Sequence, residues 1–178
     1  NKKKIDYYIK NNPNYLDAKF VVQHKYDGSN FQIIFEKNPS EDENAETFRP
    51  IKFGTRNCLL GENENFNNFQ ALIKKDLYKK MIENITNYFE NTLDLTTINL
   101  YGEIYGNVIK RINYYAPDEN KTENKLIFFD VKFNDIYKTT KFFNEWAAQM
   151  EIPIVETYFT GKFDECLNID VTQFKTIS

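Results

Sequence analysis

The residues best equipped for chemistry lie in one short run, His24-Lys25-Tyr26-Asp27-Gly28-Ser29-Asn30, directly after the apolar stretch Phe20-Val21-Val22. A lysine amine is a nucleophile only when neutral, a form that burial, a nearby cation or a metal favours. Asp27 would oppose that change beside Lys25, so it reads better as a hydrogen-bonding or positioning group than as an activator. If the chain stays extended here, Lys25 and Asp27 share one side while His24 and Tyr26 point to the other. Gly28 permits a sharp turn and close approach of a ligand, and Asn30 can donate or accept a hydrogen bond at the rim. A lone K-x-D-G string is more often a surface hairpin with an incidental Lys–Asp pair. Three further stretches change that balance. Phe53-Gly54-Thr55-Arg56-Asn57 offers a guanidinium suited to bidentate phosphate contact at a strand end. Leu100-Tyr101-Gly102-Glu103-Ile104-Tyr105-Gly106 sets one carboxylate inside an otherwise apolar strand. Ile127-Phe128-Phe129-Asp130-Val131 supplies an aromatic ring able to cover a flat heterocycle.

The elements that must position these groups follow from periodicity. Phe20–Lys25 and Phe31–Lys37 read as two strands around an Asp27-Gly28-Ser29-Asn30 turn, since β-branched and aromatic residues flank residues that accept turn geometry. The spacing predicts an acidic loop over Asn38–Glu46, a strand within Phe48–Arg56, and strands over Ile98–Tyr105, Leu126–Phe133 and Ile152–Phe159. Apolar residues from Phe69 to Phe89, Leu77 and Met81 among them, recur every three or four positions and predict one amphipathic helix. Thr140–Met150 predicts a second, with Phe143, Trp146, Ala147 and Met150 on one face, and Lys162–Leu167 a short third. Strands outnumber helices in an irregular order, which indicates an α+β fold with antiparallel pairing rather than alternating βαβ units.

Composition bounds the function classes. The 178 residues are 41% hydrophobic and 16% aromatic, enough for one domain over 1–178 with a sizeable core. The net charge of −3 excludes a global basic field, so any phosphate chemistry must come from a local site. Cys58 and Cys166 lie far apart, without metal-ligand spacing or disulfide density, and no metal-ligating cluster is legible. No signal peptide or membrane span is visible, so a soluble intracellular protein is expected. The chain starts at Asn1 and stops at Ser178 after an extended-looking stretch, as an excerpt of a longer polypeptide would.

Together and in this order, the four stretches resemble the covalent nucleotidyltransferase superfamily of ATP-dependent ligases and capping enzymes, most closely its RNA ligase 2-like branch. K-Y-D-G-S-N is similar to the nucleotidyl motif, G-T-R-N to the arginine motif, Y-G-E-I-Y-G to the third motif and F-F-D-V to the adenine-stacking motif. Ile152-Pro153-Ile154-Val155 and Gly161-Lys162-Phe163-Asp164-Glu165 extend the similarity toward the carboxyl end. The resemblance implies the nucleotidyltransferase (ATP-grasp-like) ligase fold, with antiparallel sheets and flanking helices, and an RNA ligase that joins 3′-OH and 5′-phosphate ends through lysyl-AMP. It implies Lys25 as nucleophile, with His24 at the base, Asn30 near ribose and phosphate, Arg56 on sugar or phosphate, Glu103 on the ribose hydroxyls and Phe129 stacked on adenine. It also implies ATP, Mg2+ or Mn2+, and RNA as partner. Asn30, two residues after Gly28, favours RNA over DNA ligases, which usually carry arginine there. His24 departs from the branch, where Glu is usual. The branch's E-G-x-V-x-K and K-x-K motifs do not follow Phe174, and Gly106-Asn107-Val108-Ile109-Lys110 reads as an ordinary loop. A chain truncated before those motifs is expected to bind nucleotide but ligate poorly. The alternatives are a DNA ligase or guanylyltransferase of the same superfamily, or a non-catalytic nucleic-acid-binding relative.

Overall fold

A computed structural model describes residues 7, 10–37, 51–61, 63–106 and 123–170. The expected acidic loop at Asn38–Glu46, residues 48–50 of the expected third strand, and the loop beyond Gly106 lie outside the described residues. The chain falls into two compact units. One takes in the described residues up to Lys25 and from Val155 onward; the other is Tyr26–Ile154.

In the larger unit six strands form one antiparallel sheet: β2 (Gly28–Glu36), β3 (Lys52–Gly54), β4 (Leu59–Leu60), β5 (Thr97–Tyr105), β6 (Lys125–Phe133) and β7 (Ile136–Tyr137). Their spatial order is β4-β3-β2-β5-β6-β7. Alternation along β2 and β5 sends Phe31, Ile33, Phe35, Ile98, Leu100 and Ile104 to one face, where each is fully buried. Helices α1 (Phe69–Ile73), α2 (Asp76–Glu90) and α3 (Thr140–Met150) supply the other half of this core through Phe69, Met81, Ile85, Phe89, Phe143, Trp146 and Ala147. The sheet is thus α+β and antiparallel, with helices on one side, as the strand-rich irregular order implied.

The helices of this unit differ from the sequence expectation in two ways. The single helix expected over Phe69–Phe89 is broken: Lys75 is extended (φ −67°, ψ 143°), and the buried residues run Phe69, Leu72, then Tyr78, Met81, Ile85, Phe89. The six-residue step from Leu72 to Tyr78 is out of phase with one helical face, and the break restores it. Leu77, assigned to the apolar face, is therefore 53% exposed, while Tyr78 is buried with its hydroxyl donating to the Leu126 carbonyl (3.2 Å) and accepting from the Leu126 amide (2.8 Å). Helix α3 runs as expected; the Thr139 side chain caps it by accepting from the Phe142 amide.

The smaller unit holds a two-stranded antiparallel sheet of β1 (Phe20–Gln23) and β8 (Thr157–Gly161), with a 3-10 turn at Pro13–Leu16 and α4 (Phe163–Leu167). Phe20 packs between the Tyr15 and Phe163 rings, at 6.5 and 5.3 Å. The hairpin expected from β1 into β2 is not formed. β1 pairs with β8, and Gly28-Ser29-Asn30 belong to β2 rather than to a turn. The strand expected at Ile152–Phe159 begins only at Thr157. Before it, the Pro153 carbonyl accepts from the Phe128 amide (2.9 Å) and Ile154 makes a single parallel bridge to Phe128. Among the described residues no helix is long and apolar enough to cross a membrane.

Candidate active site

The face of the six-stranded sheet turned away from α1, α2 and α3 collects three of the residues singled out in the sequence. Asn30 and Glu103 are direct cross-strand partners of β2 and β5, and the residues flanking them on their strands, Phe31, Gly102 and Ile104, turn to the core. Phe129 reaches that face by a different device. Tyr101 pairs with Asp130 and Gly102 with Phe128, so Phe129 is the extra residue of a β-bulge. Leu126 and Phe128 before it, and Val131 and Phe133 after it, all face the core. The two residues between, Phe129 and Asp130, are therefore both turned to the opposite side.

Gly28 has a specific steric role at this end of the sheet. A Cβ there would overlap the Ile104 carbonyl oxygen and stand 2.8 Å from Glu103 Cγ. Its bare amide instead donates to Glu103 Oε1 at 3.1 Å, which orients the carboxylate over β2. Tyr26, the first residue of this unit, packs its ring against that of Tyr105, tilted by 52° with centroids 4.5 Å apart. Asp130 accepts from the Val131 amide (2.9 Å); burial pushes its carboxyl above the ordinary range, opposed by that hydrogen bond and by Lys132.

Arg56 sits at the tip of the β3–β4 hairpin, in a turn closed by the Thr55 amide donating to the Cys58 carbonyl (2.8 Å). Gln32 on β2 ties the turn down by donating to the Thr55 carbonyl (2.6 Å). Arg56 is exposed there, two residues beyond the end of β3.

Lys25 and His24 belong to the smaller unit. β1 ends at Gln23, so residues 24–27 are not strand, and the alternation expected to put Lys25 and Asp27 on one side does not apply. Nor is Lys25 buried behind a strand; it is exposed. His24 is held closely. Its amide donates to the Glu156 carbonyl (2.9 Å) and its Nδ1 lies 2.5 Å from the Tyr158 hydroxyl. Tyr158 is itself a bulge residue, since Val22 pairs with Phe159 and Gln23 with Thr157. Partial burial, and then the Glu156 charge, raise the Tyr158 phenol. Sequence reading gave Tyr158 and Asp130 no role. The bulge at Asp130 was visible in principle, because the apolar phase of Leu126-Ile127-Phe128-Phe129-Asp130-Val131-Lys132-Phe133 shifts by one; the pairing that makes Tyr158 a bulge was not.

A model of the RNA ligase family matches residues 18–176. The chain belongs to the RNA ligase family. A search of curated proteins found no match. Among solved structures, this family member is similar in fold to an RNA ligase of Naegleria gruberi. A variant of that enzyme solved with ATP and Mn aligns with TM-score 0.58 and 19% identity over 93% of this chain; a second variant, solved with AMP and Mn, gives 0.57 and 18%. An archaeal ATP-dependent RNA ligase aligns with TM-score 0.53 and 13% identity over 86% of the chain. The chain spans 42% of the Naegleria protein's length and 34% of the archaeal one's. The α+β architecture with antiparallel sheets is thus shared with these RNA ligases.

The donor set on the sheet face fits a nucleoside: a partly exposed ring for a base, a carboxylate oriented to accept from ribose hydroxyls, and a carboxamide. It does not form a metal cage. Among the described residues no three acidic, histidine or cysteine side chains come together to hold an ion.

Proposed function

We propose that this RNA ligase family member joins RNA 3′-OH and 5′-phosphate ends through a lysyl-AMP intermediate, using ATP. The observation that carries the reading is that Asn30, Glu103 and Phe129, from three separate stretches of chain, stand on one sheet face within a family match that also spans Lys25. In the first step Lys25 Nζ attacks the α-phosphorus of ATP. The N–P bond forms as the bond to the β-phosphate's bridging oxygen breaks, and pyrophosphate leaves. An RNA 5′-phosphate oxygen then attacks the same phosphorus, the Lys25 N–P bond breaks and the amine is regenerated; finally the 3′-hydroxyl oxygen attacks the activated 5′-phosphate, its proton is lost and AMP leaves as the strand is sealed.

Each residue has a role matched to its chemistry. Phe129 stacks on adenine, Glu103 accepts from the ribose hydroxyls, and Asn30 hydrogen-bonds near the ribose and phosphate. Arg56, exposed on its hairpin tip, holds a sugar or phosphate of the RNA, and His24 contacts the base. Mg2+ or Mn2+, when bound, would neutralise phosphate charge. The ATP and AMP complexes of the Naegleria enzyme support the nucleotide assignment.

The fold likeness also reaches a putative ATP-dependent DNA ligase from Aquifex aeolicus, with TM-score 0.51 and 16% identity over 90% of this chain and 38% of that one. Joining assays on the natural full-length product, with nicked RNA against nicked DNA and ATP against GTP, decide between these substrates. Sealing of RNA with ATP is expected. Sealing confined to DNA, or GTP-dependent labelling, would overturn the reading.

A further inference from the structure

The sheet face turned away from α1, α2 and α3 continues past the candidate nucleotide residues to β7, where a second constellation stands. Tyr101 on β5 and Tyr137 on β7 lean together across β6 with ring centroids 5.8 Å apart. Between them rises Lys132, its ammonium 4.6 Å from the Tyr137 centroid and 6.0 Å from that of Tyr101. Tyr137 is 57% exposed although it is a large aromatic on a strand. Its position is not loose. Asn134 and Asp135, both left-handed, make the tight β6–β7 turn; Asn134 Oδ1 accepts from the Thr96 amide (2.8 Å) and its Nδ2 donates to the Asp94 carbonyl (2.7 Å).

We propose that this edge binds one nucleotide of a single-stranded RNA, the base stacking on the outer face of Tyr137 and a phosphate meeting Lys132. The inference rests on the RNA-ligase reading for the choice of RNA, but its chemistry stands by itself. A flat exposed ring beside a cation matches the alternation of planar base and anionic phosphate in a nucleic acid strand. An ammonium has three donors, so contact with two rings leaves it able to hydrogen-bond a phosphate oxygen. The chain's net charge of −3 gives no general attraction for RNA, so attraction has to come from localised cations such as Lys132. Tyr101 and Glu103 are successive same-face residues of β5, about 7 Å apart, so the platform adjoins the candidate nucleotide site.

The test is fluorescence anisotropy of the chain with a labelled unstructured oligoadenylate, as RNA and as DNA, over a range of salt. Tyr137→Ala is expected to weaken RNA binding roughly 5- to 150-fold, the effect of removing one base–aromatic stack, while Tyr137→Phe keeps it. Lys132→Gln is expected to flatten the slope of log affinity against log salt by about 0.7. RNA binding indifferent to both residues, no RNA binding at all, or an effect seen only with DNA overturns the proposal. So does a dimer in sedimentation that Tyr137→Ala dissolves, which would make a second copy the occupant. Transfer of labelled AMP to the natural full-length product, and to its Tyr137→Ala variant, is measured in parallel. If Tyr137-dependent RNA binding persists without any AMP transfer, the ligase reading fails and the platform stands; AMP transfer with Tyr137-independent binding gives the reverse.

Discussion

Phe128 and Phe129 are chemically identical neighbours to which the bulge gives opposite tasks, and truncating each to alanine separates fold from site. Phe128 is fully buried among the core residues between sheet and helices, and its amide is bonded to the Pro153 carbonyl. Phe128→Ala should therefore cost about 3–5 kcal/mol, the range for a buried phenylalanine that leaves a cavity. That is a large share of the 5–15 kcal/mol that holds a typical domain together. For a chain of this length it corresponds to a thermal midpoint lowered by roughly 6–20 °C. Phe129 is only partly buried and on the other face. Its truncation should cost no more than about 1 kcal/mol but weaken ATP binding by roughly 5- to 150-fold through loss of the stacked ring. Circular dichroism melting and isothermal titration with ATP read the two effects independently. Equal destabilisation by both substitutions, or ATP affinity unchanged in Phe129→Ala, would refute the bulge as the device that presents the ring.

Gly28→Ala should lower the melting midpoint by about 2–8 °C, since overpacking against the Ile104 backbone outweighs the entropic gain of alanine by about 1–2 kcal/mol. Gly61→Ala, which meets nothing within 4 Å, should be neutral or slightly stabilising. Thr139→Ala removes the cap of α3 and should cost about 1 kcal/mol in urea unfolding, whereas Thr139→Ser should recover most of it. Asp130 holds its proton more tightly folded than unfolded, so wild-type stability falls as pH rises from the ordinary 3.8 through the higher folded value. Asp130→Asn lacks this loss, and its melting midpoint relative to wild type should climb across that same window; a flat difference from pH 3 to 7 would contradict the burial argument.

How much could be read from the chain alone depended on whether the forces were local. β5 and α3 were legible because their apolar periods are regular and their core faces are set by neighbours two to four residues away, and β6 because its dense apolar run marks a strand despite the phase shift at the bulge. The β1–β2 hairpin failed for the opposite reason. A strand, Gly and strand in succession satisfy the local rules, but the partner of β1 is β8, far along the chain. The break between α1 and α2 was a period error, visible once Tyr78 rather than Leu77 is taken as the buried residue. The two-residue strands β4 and β7 are too short to carry a period at all. At the candidate site the residue types were legible, because a strand carboxylate, a hairpin-tip arginine and an aromatic beside an aspartate are unusual enough to notice. Their common face was not, since it depends on the Asn30–Glu103 register and on a bulge opposite Tyr101 and Gly102.

The proposed activity depends on the Lys25 side chain becoming bonded to the α-phosphorus of ATP. The direct measurement is incubation of the natural full-length product with ATP labelled at that phosphorus and Mn2+, followed by precipitation, proteolysis and mass mapping of the labelled peptide. Label is expected on the peptide carrying Tyr26-Asp27-Gly28 with AMP on Lys25, and none in Lys25→Ala. AMP on a different residue, or label undiminished by that substitution, would contradict it.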